Sequence, residues 1–379
     1  MTPTSMTSRQ RVLTALAHRE PDRLPLDFMG TASCLVDQAY FALRDHLGLQ
    51  GDGRLFRREE NTRFYDERIL DALGVDTRRV WMRQLQGRLG QLDADGTLID
   101  EWGLKRRRIG DLLSYVSAPL ESATLGDLSA YPWPDPYDPE RVAGLADEAR
   151  RLREAGTHAI VARSPCLGIF DMAQRLRGME RFLMDLLLDK RFAAALVHRI
   201  KEVQMGFYEA YLSAVGPYVD VVETGDDYGA QAGPLISPAV FSEIIAPARH
   251  ELNRLIKHKA PQAKIFLHSD GAIFKLIPIF IEIGVEILNP VEPDVPGNDP
   301  AALKAAFGSQ LVFHGHLDNK RALRGTRGEA RAEVRRLFDG MGPGGGYIMA
   351  PTNHVQVDVP PQNLLEVYRY AQQYGVYAD

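Results

Sequence analysis

The sequence predicts an α/β protein built as a (β/α)8 TIM barrel, with an N-terminal helix and an insertion after the second strand. Three observations carry this. Eight short apolar or β-branched segments end in polar or glycine-rich turns, as strands buried on both faces do. The last six alternate with helical patterns, which indicates a parallel sheet. No GxGxxG follows the first strand and no reversal of strand order is visible, so an open doubly wound sheet is the second choice.

In order, a first helix over residues 7–18 should cover the bottom of the barrel, with Leu13, Leu16 and Ala17 as its apolar stripe. The candidate strands are residues 23–28 (RLPLDF), 76–81 (DTRRVW), 158–163 (HAIVAR), 219–223 (VDVVE), Lys264–His268 (KIFLH), 285–289 (VEILN), 311–314 (LVFH) and 347–350 (YIMA). A helix over 237–259 opens with Ser237-Pro238 as cap and first-turn proline. Residues 272–283 make a short apolar helix, Pro300–Phe307 and 327–338 are amphipathic, and Pro361–Tyr374 closes the chain. The second connection, about 82–157, is too long for a plain crossover. It carries a hairpin signal at Asp93-Ala94-Asp95-Gly96 and a proline-rich stretch over 131–139 that reads as a stiff linker. It is taken as an insertion in one domain spanning 1–379.

Length and composition agree. A chain of 379 residues fits one barrel with insertions. With 45% hydrophobic and 25% charged residues, collagen-like and mainly disordered classes are excluded. Lys and Arg number 45 against 50 Asp and Glu, a net charge of -5, so nucleic acid is not the expected partner. Two cysteines, Cys34 and Cys166, make neither a disulfide framework nor a cysteine-rich zinc site. No secretory h-region and no run of about 18 apolar residues is present. The expectation is a cytoplasmic enzyme with no membrane partner; a homodimer is an open option.

In (β/α)8 enzymes the reactive groups follow the C-terminal ends of the strands. Those turns hold Asp27, Arg163, Asp226-Asp227, His268-Ser269-Asp270, Asn289, His314-Gly315-His316-Leu317-Asp318 and Asn353-His354. Imidazole and carboxylate bind divalent metals and act as acids and bases near neutral pH. Each has a plainer reading. Asp270 can cap the next helix, Asp226-Asp227 can brace a turn, and one of His314 and His316 can be packed. Asn353-His354 can be turn chemistry, and both cysteines can be buried small residues.

At these same residues the chain resembles the uroporphyrinogen decarboxylase superfamily. The likeness lies in Ser8-Arg9-Gln10-Arg11-Val12-Leu13 with Glu20-Pro21-Asp22-Arg23-Leu24-Pro25, in Gly225-Asp226-Asp227-Tyr228-Gly229 with Ser237-Pro238, and in Leu267-His268-Ser269-Asp270-Gly271. His314-Gly315-His316-Leu317-Asp318 and Pro360-Pro361-Gln362-Asn363 extend it over nearly the whole chain. The resemblance implies a (β/α)8 barrel and one of two chemistries: decarboxylation of uroporphyrinogen, or methyl transfer to or from a corrinoid with a zinc ion activating the acceptor.

True decarboxylases carry an arginine-rich loop after the first strand and an aspartate after the second. Here those places hold Met29-Gly30-Thr31-Ala32-Ser33-Cys34-Leu35-Val36 and Met82-Arg83. The methyltransferases bind zinc through His-x-Cys after the fifth strand and a second cysteine after the eighth. Here His268 matches, Asp270 stands at the first cysteine, and Asn353, beside His354, stands near the second. The resemblance therefore implies a methyltransferase moving a methyl group between a small molecule and a corrinoid (cobalamin) on a partner protein. His268, Asp270 and His354 are the expected metal ligands for zinc. His268, Asp270, His354, Asp227 and His316 are the expected catalytic set, and Asp226, Asp318, Asn353 and Arg163 the cofactor-binding set. A carboxy-lyase, with Arg163 holding a carboxylate, is the alternative. A non-catalytic tetrapyrrole- or corrinoid-binding barrel is the third.

Overall fold

The computed structural model describes residues 6–56, 60–85, 96–110 and 112–377. Seven parallel strands follow one another in space in chain order: Thr77–Val80, Ala159–Ala162, Val221–Gly225, Lys264–His268, Ile287–Asn289, Val312–Leu317 and Tyr347–Pro351. The first candidate strand, 23–28, is not a regular ladder but links the two outer strands. Leu26 bridges Met349 in parallel. The Asp27 amide donates to Met349 (2.9 Å), the Met349 amide to Pro25 (3.0 Å), and the Asp76 amide to Leu26 (2.8 Å). Pro25 has no N–H to give, which keeps this eighth segment short. The bridges close the sheet into a (β/α)8 barrel.

The bottom is plugged by the helix Ser8–Leu16, whose Thr7 and Gln10 form a capping box. Val12 and Leu16 enter a cluster with Val161, Val221, Phe266, Val312 and other inward strand residues. The docking stripe is therefore Val12, Ala15 and Leu16, at i, i+3 and i+4. Leu13 is only partly buried, and Ala17, the C-cap, is exposed.

Other boundaries move for local reasons. The seventh segment continues three residues past 314, to Leu317. The helix expected over 237–259 divides into Pro238–Val240, a π-helical turn Phe241–Ile245, and Ala246–Lys259. Pro247 cannot donate to the carbonyl four residues back, so the ladder changes register there. The region 272–283 keeps only a 3-10 turn, Phe274–Leu276, and a helix, Ile277–Glu282. Three helices not anticipated above, Ile169–Arg177, Met179–Leu188 and Lys190–Val215, follow the third barrel segment.

The insertion is a three-stranded antiparallel sheet, Thr97–Ile99, Lys105–Ile109 and Leu112–Tyr115. The hairpin signal at 93–96 lies outside the described residues except for Gly96. The proline-rich stretch does more than link. Trp133 stacks edge-on against Tyr131 (4.9 Å) and Trp102 (6.3 Å), and Trp102 meets Phe207 of the long helix at 6.2 Å. That aromatic cluster holds the insertion against the barrel, over its C-terminal mouth. No described helix is long and apolar enough to cross a membrane.

Candidate functional site

Two cavities open where the strands end. The larger, about 530 Å³, lies between barrel and insertion and reaches Asp226, Asp227, His268, His354 and Arg163. The second, about 390 Å³, reaches Asp270, Asp318, Asn353 and His354. The strand-end residues are thus divided between two cavities that share His354 as a wall. His316 lines neither.

His268 ends its strand with the ring buried. Its Nδ1 lies 2.6 Å from the Asn289 side-chain oxygen, which sits beside it in register on the next strand. Asn289 Nδ2 in turn donates to His314 Nδ1 (2.8 Å), and His314 Nε2 lies 2.8 Å from Asp27. Only one set of tautomers satisfies this chain: Nδ1–H on His268 and Nε2–H on His314. His268 Nε2 is left with its lone pair facing the cavity. It stands 3.6 Å from Asp227 Oδ1 and 3.7 Å from Asp270 Oδ1. Burial opposes a charge on this ring, but Asp270, Asp227 and the Asn289 bond hold its pKa above the ordinary histidine value. Burial also pushes Asp270 up to about 6, against the pull of His268.

The adjacent carboxylates 226 and 227 point different ways. Asp226 is buried and accepts from the amides of Phe170 (3.0 Å) and Asp171 (2.7 Å) and from the Tyr228 hydroxyl (2.6 Å). It therefore caps the helix Ile169–Arg177, whose own N-cap is Gly168, without a side chain. Any Cβ at Gly168 would sit 2.1 Å from the Asp226 carboxyl carbon, so glycine is required by close approach. Asp227 faces the cavity and accepts from the Asp270 amide (2.9 Å), which ties the two carboxylates together. The cap gives Asp226 a structural role at the cavity wall.

The remaining expected residues divide. His354 Nδ1 accepts from the Cys34 amide (3.0 Å), which fixes its ring between the cavities. Asn353 is exposed and its side-chain amide lies 3.4 Å from Asp270. Arg163 is buried over the Phe56 ring (4.4 Å) and donates to the Thr31 carbonyl (3.2 Å). Asp318 accepts from the amides of Lys320 (2.7 Å) and Arg321 (3.2 Å) and pairs with the Arg321 guanidinium (3.0 Å), so it organises its own turn.

His316 is a packed core histidine. Its φ is +66°, its ring is fully buried, and Nε2 lies 3.1 Å from the Asn298 carbonyl. The preceding Gly315, at φ +109°, passes too close to the Pro290 carbonyl for any Cβ. Burial pushes the His316 pKa down to about 4, against the pull of the Asn298 carbonyl. The unfolded chain takes up this proton near pH 6.5, the folded one only near 4. The contribution to stability is therefore complete above pH 6.5 and lost as pH falls toward 4. We expect His316→Gln to flatten part of the stability loss between pH 7 and 4.5 in urea unfolding; an unchanged slope would show that the ring is not held neutral.

Three contributors carry no role in the sequence reading. Asn289 stands at a strand end, but only the register with His268 reveals what it does. Asp171 lines the larger cavity beside Asp227, and burial together with Asp226 and Asp227 pushes its pKa well up. Arg79 is buried between Asp27 (2.6 Å) and Glu223 (3.1 Å), and Glu223 receives the Thr31 hydroxyl. A polar chain thus crosses the barrel interior from His268 to the loop after the first segment. Arg79 lies two residues inside the second segment, so a search of strand ends passes over it.

Ligand atoms of Asp227, His268 and Asp270 all lie within 4.8 Å of one another. Bonds of roughly 2.0–2.2 Å to a tetrahedral zinc place its ligands roughly 3.3–3.6 Å apart, close to the spacings from His268 Nε2. These three residues fit a divalent ion. His354, expected third, is not in that cluster, and Asp227 takes its place.

The uroporphyrinogen decarboxylase (URO-D) family model matches residues 110–374. The chain belongs to the URO-D family. The two first barrel segments precede that match, and the structure supplies them to the same URO-D barrel. A methyltransferase from Methanosarcina mazei shares the fold at a TM-score of 0.67, with 16% identity over 97% of this chain and 99% of that one. A B12-independent methionine synthase from Shewanella sp. W3-18-1 aligns at a TM-score of 0.37 and 11% identity, over 60% and 67% of the two chains, too distant to bear on the reading. No curated protein matches.

Proposed function

We propose that this URO-D family member transfers a methyl group between a small molecule in the larger cavity and a corrinoid carried by a partner protein. The observation that carries the reading is the His268 imidazole, oriented by Asn289 and aimed with Asp227 and Asp270 at one point on the cavity wall. One imidazole and two carboxylates can hold zinc, and make a harder, less electron-donating site than thiolates would. A divalent ion held there would supply positive charge that makes a bound oxygen, nitrogen or sulfur a better leaving group or nucleophile. The corrinoid would supply the cobalt centre that takes or gives the methyl group.

This chain's own residues do the rest. Asn289 holds His268 in one tautomer. The Asp270 amide fixes Asp227, so the two carboxylates present to a reacting heteroatom without reorganisation. The apolar walls formed by Phe56, Trp81 and Trp102 exclude water from the methyl group. Elemental analysis of the purified protein tests the metal part. About one divalent ion per chain, lost in Asp227→Asn and Asp270→Asn, is expected; a metal-free protein of full activity would contradict it.

Decarboxylation is the second reading, favoured by family membership and by Arg163 on the cavity wall, where it could hold a carboxylate. It needs no corrinoid, and release of CO2 from a carboxylated substrate would distinguish it.

A further inference from the structure

We propose that Arg175 is an anion anchor in the larger cavity, and that the small molecule bound there is an organic anion with a flat apolar body. Arg175 lies on the helix Ile169–Arg177, one turn beyond Asp171, and lines the cavity. Its guanidinium does not turn back to Asp171. It lies over the Tyr115 ring of the insertion, 4.1 Å from the centroid. Its Nε is buried with no hydrogen-bond partner, and among the described residues no carboxylate oxygen comes within 4.0 Å of it.

The other cationic side chains on the wall are engaged. Arg163 stacks on Phe56 and donates to Thr31, and Arg106 sits 3.4 Å from Glu60 and 3.9 Å from Asp100. The nearby acids have other contacts: Asp226 caps a helix, Glu101 pairs with Arg141, Asp227 faces His268, and Asp171, within electrostatic reach of Arg175, accepts from the Asp227 amide (3.3 Å). The terminal nitrogens of Arg175 make no hydrogen bond among the described residues, and a carboxylate can meet such a pair of N–H groups with paired hydrogen bonds. The same cavity is lined by Trp81, Met82, Leu98, Trp102, Leu113 and Met172. Such a wall takes a planar apolar body, and about 530 Å³ is room for one ring with substituents.

Only the fate of the methyl group rests on the methyl-transfer reading; the anion contact does not. Calorimetric titration of the full chain with 4-methoxybenzoate and with its neutral counterpart 4-methoxybenzamide tests it. The acid should bind wild-type protein at least tenfold tighter than the amide. Arg175→Gln should weaken the acid at least tenfold and leave the amide unchanged, and Arg175→Lys should fall between. No binding of the acid, equal affinity for acid and amide, or an unchanged affinity in Arg175→Gln would each overturn the proposal. Should Arg175→Gln melt early, Arg175→Lys decides: it keeps the charge and loses the paired geometry, and an unchanged affinity for the acid would overturn the proposal.

Discussion

His268→Ala is expected to lose methyl transfer by at least roughly 10²–10⁴-fold, the usual effect of removing an acid–base group, and to lose its bound ion as well. The imidazole is the one nitrogen donor in the cluster, and Asp227 and Asp270 alone would leave two neighbouring carboxylates to hold the ion from one side. The fold should survive. His268 stands at the C-terminal end of its strand, and the cluster that plugs the barrel bottom does not include it. Metal content, turnover and melting temperature on this single variant separate the roles. Loss of rate with full metal content would make His268 an acid rather than a ligand. Loss of stability with normal activity per folded molecule would make it a packing residue.

Arg79→Met should be the most destabilising single change inside the barrel. Arg79, Asp27 and Glu223 are all buried. Burial opposes the Asp27 charge, yet Arg79 and His314 hold its pKa well below the usual carboxylate range, so it stays ionised. Removing the guanidinium strands two carboxylates, at a cost of about 3–5 kcal/mol for a broken buried pair. Arg79→Lys should not restore it, because one ammonium cannot serve Asp27 through two nitrogens and Glu223 at once. Urea unfolding measures the loss. An unfolding free energy within about 0.5 kcal/mol of wild type, the range of ordinary surface changes, would show that the network is not structural.

The fold was legible where hydrophobic runs end on strong local signals. Lys264–His268, Pro300–Phe307 and Pro361–Tyr374 have the boundaries the sequence suggests, because a strand-ending turn or an N1 proline marks each. The segment 23–28 was legible as apolar, but its pairing is set by two distant edges and by Pro25. Helices such as Lys190–Val215 are apolar around much of their circumference, which blurs the amphipathic stripe.

The site was legible as a crowd at strand ends and not as an arrangement. His268 and Asp270 could be singled out because they flank one strand terminus. That Asp226 turns into a helix N-terminus while Asp227 faces His268 depends on where that helix starts. Asp171 and Arg175 sit in the first and last turns of a helix, beyond any strand-end rule, and Asn289 gains its role only through cross-strand register. His316 shared the strand-end signature but lies inside a strand that runs longer than its sequence suggests.

The most direct test of the central claim follows the corrinoid itself. Methylcobalamin is mixed anaerobically with the metal-loaded protein and a panel of thiols, amines and phenolates that includes 4-hydroxybenzoate, and the visible spectrum is recorded. The account predicts protein-dependent loss of the methylcobalamin spectrum with at least one acceptor, with the methyl group recovered on that acceptor, and neither event with the His268→Ala protein. A methylcobalamin spectrum that the protein leaves unchanged across the panel, together with CO2 release from a carboxylated substrate, would contradict it.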